Sequence, residues 1–306
     1  MSEAEVQMSP EELRAAVIAG FLAPPRSSAP NFWVSGVLWA VAALIFFEPV
    51  DLVWLALVLL IHEGGHLLAM RAFGYQDTRI FFLPFFGAAA SGRPAGEELP
   101  WQRAIILLAG PVPGLLLGAG LIVSQVLAGL EPSMFAVMLV AVNLFNLLPV
   151  APLDGGRVVL LLVPSQRLQH VLKLASGLAL VGLGVWMESW LLGLFGLWMA
   201  RNSWTAFAAY REVAPHRDRL AVTATEPRLL TERQVLGLYE LAVAGGDVDG
   251  TVASGREVLG RMHLAHRALV QPRTARGVER AAIAVAYGVC AVLPLGGAAW
   301  LFGLGG

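Results

Sequence analysis

The chain has 306 residues, of which 57% are hydrophobic and 14% are charged, and its formal net charge at pH 7 is -1. Soluble domains average about 25% charged residues, so this composition and the mean hydropathy of +0.68 indicate an integral membrane protein and exclude a soluble enzyme with one anchor. The balanced charge gives no indication of a nucleic-acid partner, and the single cysteine, Cys290, excludes an internal disulfide.

Residues 9–22 are predicted to form a short amphipathic helix. Ser9 is followed by Pro10 and Glu12, a pattern typical of a capping box with proline at the first helical position. We interpret this helix as one that lies on the membrane surface and takes no part in catalysis. The residues before it are acidic and include no basic n-region, so we expect no cleavable signal peptide.

Seven apolar segments are each predicted to cross the membrane as a helix. They cover residues 32–47, 52–71, 104–130, 134–148, 168–187, 190–200 and 281–302. The third contains Pro111 and Pro113, which predict a kink. The sixth is the shortest, and it spans only if its helix continues towards Tyr210.

Residues 78–96 are apolar but are interrupted by Pro84, Gly87 and Gly92. Such a segment is tolerated at membrane depth only where protein or a water-filled cavity covers its backbone. We therefore predict a membrane-associated β-hairpin or re-entrant loop rather than a span.

Residues 205–280 differ in composition, because they are charged and contain no long apolar run. Thr231 and Gln234 form a capping-box pattern, Gly245 and Gly246 indicate a helix end, and a second helix fits residues 252–270. The predicted fold is an all-α polytopic membrane protein with about seven transmembrane helices, the hairpin and a small cytosolic helical domain. The predicted domains are 1–31, 32–204, 205–280 and 281–306.

Charge placement predicts the orientation of the spans in the membrane. One set of alternating loops contains acidic residues and no basic ones, whereas all basic loop residues fall in the other set, which the positive-inside rule places in the cytosol. The basic set comprises Arg14, Arg26, Arg71, Arg79, Arg93, Arg103, Arg157, Arg167, Lys173 and Arg201. We expect a multi-pass protein of a prokaryotic plasma membrane, with its active site about 10 Å inside the cytosolic boundary.

The second segment carries His62, Glu63 and His66 in its apolar middle. One ionisable group at the centre of a membrane helix costs about 2.5–3.5 kcal/mol on insertion scales, so three within one turn and a half require a functional reason. The pattern H-E-x-x-H provides one, because residues four apart share a helix face and can offer two imidazole nitrogens to one zinc ion. Glu63 is then placed to take a proton from an activated water. The alternative is a pair of histidines satisfied within a packed core.

A catalytic zinc site needs three protein ligands and one open position, so a further acidic residue or histidine is expected at similar depth. Asp154 is the sole acidic residue between Glu131 and Glu188, and it lies at the cytosolic end of the fourth segment. We predict that it completes a site for one zinc ion per chain with the two histidines. Its alternative is an ordinary turn residue in the sequence L-D-G-G.

These motifs resemble those of the site-2 protease family, zinc endopeptidases that cleave transmembrane helices during regulated proteolysis. The first motif, His62 to His66, matches the family pattern H-E-x-x-H. The segment NLLPVAPLDG, which begins at Asn146 and contains Asp154, matches N-x-x-P-x-x-x-L-D-G at every fixed position. The resemblance covers about residues 32–204.

The resemblance implies that the zinc ligands are the three residues named above, that Glu63 is the general base and that Asn146 stabilises an oxyanion or orients the site. A helix-packing hydrogen bond is the alternative role for Asn146. The family often has G-P-x-x-N in its third span, whereas this chain has Gly114 at the position of that asparagine. We assign no role to Asn143, one helical turn before Asn146.

The resemblance also implies a single-pass transmembrane substrate within the lipid bilayer and a regulatory membrane partner. A substrate helix must unwind before cleavage, and an exposed strand edge beside the zinc would satisfy its freed backbone groups by strand addition. The residues predicted to bind substrate in this way are Arg79, Ile80, Phe81, Phe82, Gly87 and Ala88. The alternative is that this loop plugs the cytosolic mouth of the protein.

The leading functional hypothesis is therefore an intramembrane zinc endopeptidase. One alternative is a metal transporter, although transporters need several weak sites along a path and this chain concentrates its intramembrane ionisable residues at one. A second is an inactive scaffold that binds transmembrane segments, against which the intact Glu63 argues.

Overall fold

The computed structural model describes residues 9–23, 32–45, 48–83, 87–96, 98–222, 227–244, 254–270 and 273–301. These residues form mainly helices. The helices are α1 (Pro10–Leu22), α2 (Phe32–Ala43), α3 (Pro49–Ala72), α4 (Pro100–Ala109), α5 (Pro111–Leu127), α6 (Met134–Asn146), α7 (Asp154–Leu162), α8 (Gln166–Trp186), α9 (Trp190–Val213), α10 (Arg217–Leu220), α11 (Glu232–Ala244), α12 (Gly255–Leu269) and α13 (Gly277–Leu301). The strands are β1 (Gln76–Leu83) and β2 (Gly87–Arg93).

The chain divides into two compact units. The helical unit comprises Met1–Ser27, Gln166–Glu188 and Leu192–Pro272, and the hairpin unit comprises Ser28–Ser165, Ser189–Leu191 and Arg273–Gly306. The domain boundaries expected from the sequence stay a prediction.

Helix α3 is the central element of the hairpin unit, because α4, α5, α6 and both strands contact it. Gly65 of α3 allows the closest approach, since a Cβ atom there would lie 1.9 Å from the carbonyl oxygen of Ala109. Helix α4 ends at Ala109 and α5 begins at Pro111, so the kink predicted from the two prolines is confirmed as a break between two helices. This break lies against the face of α3 that carries the histidines.

The β-hairpin predicted for residues 78–96 is confirmed by the antiparallel pairing of β1 with β2. Gly87 has a φ of 96° at the start of β2, a left-handed conformation that favours glycine. Pro84, which was also used in the prediction, lies outside the described residues. On the far side of β1, the Phe82 ring packs against Trp39 of α2 with ring centroids 5.2 Å apart.

Helix α13 packs against α4 and α7 within the hairpin unit. Ile283 is buried with Leu107 and Val158 in this cluster. The Tyr287 hydroxyl donates a 2.6 Å hydrogen bond to the carbonyl oxygen of Leu147, in the loop between α6 and α7. The last described helix therefore contacts the segment that leads to Asp154.

The helical unit has an apolar core formed mainly by α1, α11 and α12. The capping box predicted at Ser9 is confirmed, because its N–H donates to Glu12 Oε2 at 2.7 Å and its hydroxyl accepts from the Glu12 N–H at 3.3 Å. Phe21 of α1 is fully buried. Two apolar residues of α1, Val17 and Phe21, are thus buried against protein, and the position of this helix at the membrane surface stays a prediction.

Three helical segments among the described residues are long and apolar enough to cross a membrane: Pro49–Ala72, Pro100–Leu127 and Gln166–Trp186. Phe32–Ala43 and Met134–Asn146 are apolar but shorter, and at 1.5 Å per residue they fall well below the ~30 Å of a hydrocarbon core. Helix α9 is continuous from Trp190 to Val213, as the sixth predicted span required. The total of seven spans is not confirmed.

Candidate metal centre

Three buried side chains from two helices converge in the hairpin unit. The Nε2 atoms of His62 and His66 lie 3.2 Å apart, and each lies 3.1 Å from Oδ2 of Asp154. Among the described residues, this is the one group of three or more His, Cys, Asp or Glu side chains whose ligand atoms come together in this way. The structure thus brings together the three residues that the sequence predicted as metal ligands.

Two glycines let the chain deliver Asp154 to the histidines. Asp154 is the first residue of α7, and the loop before it folds back on the start of that helix. A Cβ atom on Gly155 would lie 2.1 Å from the Leu147 carbonyl oxygen, and one on Gly156 would lie 2.2 Å from the Ala151 nitrogen. The sequence L-D-G-G therefore forms the N-cap and first residues of α7, and the Asp154 carboxylate lies 3.1 Å from both histidines.

The second ring nitrogen of each histidine has a hydrogen-bond partner that fixes the orientation of the ring. His62 Nδ1 lies 2.8 Å from Oδ1 of Asn143, and His66 Nδ1 lies 2.7 Å from the carbonyl oxygen of Ile106. Both partners are oxygen acceptors, so each Nδ1 carries the proton and donates it. Each Nε2 is then left with a lone pair facing its neighbours, which is the form of histidine that binds metals.

The chemistry of these three atoms fits a zinc ion. Two imidazole lone pairs and a carboxylate oxygen within 3.2 Å of one another would repel, because no proton lies between them when each Nδ1 is the protonated nitrogen. A cation removes that repulsion. Tetrahedral zinc with bonds of about 2.0–2.1 Å separates its ligand atoms by about 3.3 Å, close to the observed spacing.

Glu63 is the fourth ionisable side chain at this site. It is 7% exposed, and it is close enough to His62, His66 and Asp154 for electrostatic interaction. The backbone N–H of Ala90 in β2 donates a hydrogen bond to its carboxylate. A carboxylate without a place in the ligand triad, held beside it, is what a general base requires.

Asn146 is half-buried at the C-terminal end of α6, and its Nδ2 donates to the Val142 carbonyl oxygen at 3.0 Å. This hydrogen bond lies within its own helix, so it tests neither the catalytic role nor the helix-packing role considered for Asn146. Asn143, by contrast, is fully buried and contacts His62, although the sequence assigned it no role. The signal that could have found it was an amide inside an apolar helix, one turn from a motif residue.

The six residues predicted to bind substrate all lie in the hairpin beside α3, and their substrate contacts stay predictions. Phe82 is 5% exposed, and its N–H donates to Ser35 Oγ at 3.0 Å. In an antiparallel pair, successive residues turn their backbone polar groups to alternate sides. Phe82 pairs with Ala88, so Ala88 and Ala90 both direct their N–H and carbonyl groups away from β1. The α2 side of β1 is covered, and the outer edge of β2 faces Glu63.

A cluster of charged and polar side chains lies near the C-terminal end of α3. The Tyr75 hydroxyl donates to Glu98 Oε1, and Arg103 Nη1 pairs with Glu98 Oε2 at 3.2 Å. Burial and the neighbouring Glu98 carboxylate raise the pKa of Tyr75 well above its usual range, so the phenol stays protonated. This cluster holds the segment after α3 against α4.

The remaining described histidines do not take part in the site. His170 stacks on Tyr210 with ring centroids 5.1 Å apart, and His263 and His266 both contact the ring of Phe21. These contacts show that all three rings pack against aromatic side chains.

Comparison with known proteins gives concordant matches. The sequence profile of peptidase family M50 matches residues 51–133, from α3 to the residue before α6. Stage IV sporulation protein FB of Bacillus subtilis is 30% identical over 179 residues, which cover 56% of this chain and 60% of that protein. The Mycobacterium tuberculosis protein Rip3, provisionally named a zinc metalloprotease, is 33% identical over 175 residues, which cover 50% and 43%.

A third relative comes from an archaeon. Zinc metalloprotease MJ0392 of Methanocaldococcus jannaschii is 27% identical over 131 residues, which cover 40% of this chain and 34% of that protein. The matched part therefore spans between about a third and three fifths of the length of these relatives. The profile and the relatives together confirm the resemblance of this chain to the site-2 protease family, peptidase family M50.

Proposed function

We propose that this protein is an intramembrane zinc endopeptidase that hydrolyses peptide bonds within or near transmembrane helices. The observation that carries the proposal is the convergence of His62, His66 and Asp154, with Glu63 beside them. This site lies on a helix apolar enough to span a membrane. Proteins related to the chain are named zinc metalloproteases.

The proposed mechanism assigns one task to each polar side chain. One zinc ion held by the two histidines and Asp154 would act as a Lewis acid and lower the pKa of a water molecule in its open position. Glu63 takes the proton of that water as it attacks the scissile carbonyl, and it then gives the proton to the leaving amine. Asn146 donates from its amide to the developing oxyanion, exchanging its intrahelical hydrogen bond for that one.

The substrate proposed for this site is a single-pass transmembrane protein. The absence of basic residues from one set of loops and their abundance in the other supports a site near the cytosolic face of a prokaryotic plasma membrane. Regulation by a membrane partner is part of the same proposal, as is a cytosolic position for residues 205–280.

The outer edge of β2 is the proposed position of the unwound substrate. Ala88 and Ala90 direct their backbone polar groups to this side, and the Glu63 carboxylate lies there as well. A substrate strand added at this edge would satisfy its backbone hydrogen bonds while passing the catalytic residues. The predicted contribution of Arg79 to Phe82 is then to hold β2 in place, because β1 lies on the opposite side of it.

The function is tested by comparing the protein with Glu63→Gln and with Glu48→Gln, a matched change at the exposed start of the same helix. The measurements are zinc content by elemental analysis and cleavage of a fluorophore-labelled transmembrane peptide in detergent micelles. Glu63→Gln should keep its zinc and lose at least about 100-fold in cleavage rate, because an amide cannot take the proton. Loss of zinc, or cleavage within a few-fold of normal, would contradict the assignment. Affinity purification of Glu63→Gln from cells should also retain single-pass membrane proteins as uncleaved substrates.

The strand edge is tested by two proline substitutions in β2. Proline has no N–H, so Ala88→Pro removes a group that faces the proposed substrate, whereas Ala88→Val keeps it. Ala88→Pro should slow cleavage while leaving zinc content unchanged. Ala89 pairs with Phe81, so Ala89→Pro should instead disrupt the hairpin and lower thermal stability. Normal cleavage by Ala88→Pro would favour the alternative in which the hairpin is a plug.

A further inference from the structure

We propose that Asn143 is a positioning residue that fixes His62 in its metal-binding tautomer and orientation, and that Gly114 is required to leave room for it. This inference rests on the metal centre of the proposed function. It concerns how that centre is held, and not which residues bind the metal.

The orientation of the Asn143 amide follows from its two hydrogen bonds. Its Nδ2 donates to the carbonyl oxygen of Leu139 at 2.7 Å, and a carbonyl can only accept. The amide oxygen is therefore the atom that faces His62 Nδ1, at 2.8 Å. An oxygen in that place compels Nδ1 to be the protonated nitrogen, which leaves the lone pair on Nε2.

The burial of Asn143 makes this arrangement costly to change. The residue is 0% exposed, and His62 is 3% exposed, so water cannot replace either partner. Loss of the amide would leave a buried N–H of His62 unsatisfied, and the ring would gain freedom to rotate or to change tautomer.

Gly114 of α5 provides the space that the amide occupies. A Cβ atom at this position would lie 2.2 Å from Nδ2 and 2.7 Å from Cγ of Asn143. Contacts this short are repulsive, so any side chain at position 114 displaces the amide from its place beside His62. The glycine and the asparagine therefore act as one unit, although they lie on different helices.

The two histidines differ in whether a substitution can remove the acceptor of their Nδ1–H group. The acceptor for His66 is the Ile106 carbonyl, a backbone group that no substitution removes. The acceptor for His62 is a side chain. Substitution of Asn143 consequently removes the acceptor of His62 and leaves the acceptor of His66 in place.

The experiment measures zinc dissociation constants of the purified protein and its variants by competition with a chromophoric chelator, with the visible absorption of the Co²⁺-loaded proteins as a report on ligand geometry. Removal of such an outer partner typically weakens metal binding about 10–100-fold. We expect a loss of that size, and an altered Co²⁺ spectrum, for Asn143→Leu. Asn143→Asp should bind zinc within about three-fold of normal, because a carboxylate oxygen also accepts from the His62 N–H.

Leu139→Ala is the matched control for packing. Leu139 is fully buried one turn before Asn143, and the substitution keeps the backbone carbonyl that holds the amide. It should lower the thermal midpoint without changing the zinc dissociation constant or the Co²⁺ spectrum. A purely structural role of Asn143 predicts that Asn143→Leu behaves in the same way.

A double-mutant cycle tests whether Gly114 acts through Asn143. It also tests the inference if Asn143→Leu does not fold. Gly114→Ala should weaken zinc binding about 10-fold or more in the normal protein, and should have little further effect when combined with Asn143→Ala, because the displaced group is then absent. If only Gly114→Ala accumulates as folded protein, its zinc dissociation constant decides alone.

Two results would overturn the inference: normal zinc affinity with a normal Co²⁺ spectrum in Asn143→Leu, or normal affinity in Gly114→Ala. Failure of the unmutated protein to bind zinc would instead overturn the proposed function, and the two failures are therefore distinguishable.

Discussion

Two pairs of histidines in this protein have similar spacing along a helix but contact different groups. His62 and His66 lie one turn apart on α3 of the hairpin unit, and His263 and His266 lie one turn apart on α12 of the helical unit. His266 is 4% exposed and His66 is 6% exposed, so burial does not distinguish the pairs. Their partners do, because the α3 pair meets oxygen acceptors and Asp154, whereas the α12 pair packs on the Phe21 ring.

The comparison teaches that the partner of one ring nitrogen decides whether the other nitrogen of a buried histidine keeps a lone pair for a metal. In α3, an acceptor at each Nδ1 directs both Nε2 atoms to a third donor. In α12, ring contacts of 4.9 Å and 5.7 Å between centroids supply apolar packing. The arrangement in α3 fits a cation, and the arrangement in α12 contributes to an apolar core.

The largest expected effect concerns Asp154. Asp154→Asn should weaken zinc binding by more than the 10–100-fold that is typical of losing an outer partner, since a neutral amide oxygen is a poor zinc ligand. His266→Asn, a change in the other pair, should leave zinc content unchanged. Elemental analysis after dialysis measures both. A tightly bound zinc in purified Asp154→Asn would mean that another residue is the third ligand.

Phe21→Ala should produce the reverse pattern. Truncation of a fully buried phenylalanine costs about 3–5 kcal/mol, so the urea or thermal midpoint should fall clearly, while the zinc content of the folded protein stays normal. The measurement is denaturation followed by circular dichroism, with zinc analysis in parallel. Zinc loss from folded Phe21→Ala would show that the two histidine pairs are not independent.

The N-caps of the two helices give a smaller contrast. Ser254 caps α12, since its hydroxyl accepts from the Glu257 N–H at 3.4 Å, whereas Glu48 at the N-cap of α3 makes no side-chain cap bond. Ser254→Ala should cost about 1 kcal/mol of unfolding free energy, and Glu48→Ala should cost much less. Urea titrations of the two variants measure the difference. An equal loss of unfolding free energy in the two variants would contradict a stabilising role of the Ser254 N-cap.

The smallest effect is a pH dependence that comes from His263 of the α12 pair. Burial, with a contribution from nearby Arg267, lowers the pKa of His263 below its usual value of 6.5. A histidine with a lowered pKa in the folded state contributes stability that is present above pH 6.5 and is lost as the pH falls below it. The thermal midpoint of the protein should therefore fall more between pH 7.5 and pH 5.5 than that of His263→Gln. Parallel declines would contradict the assignment.

The ligands and the hairpin were accessible from the sequence because each has a local signal. His62, Glu63 and His66 form a charged interruption of an apolar helix, Asp154 stands alone among apolar neighbours at matching depth, and Gly87 marks the turn. Each of these features can be read within a few residues, and the structure brings His62, His66 and Asp154 together and pairs β1 with β2.

What the sequence did not predict depends on contacts between distant residues. Asn143 meets a ligand 81 positions away, and Phe82 is buried by Trp39 of α2 rather than exposed as its place in a candidate edge strand suggested. Neither contact leaves a periodic pattern. The lengths of α2 and α6 were overestimated, because apolar composition continues past the residues where these helices end.

The hydrogen bond from Tyr287 to Leu147 has a consequence for the order in which the protein is made. Its two ends are 140 residues apart, and Leu147 leaves the ribosome long before Tyr287. Until α13 has been synthesised, the Leu147 carbonyl beside Gly155 lacks this donor, and the turn that presents Asp154 lacks one of its supports. During translation the α3 histidines therefore exist before the segment that carries Asp154 has all of its final contacts.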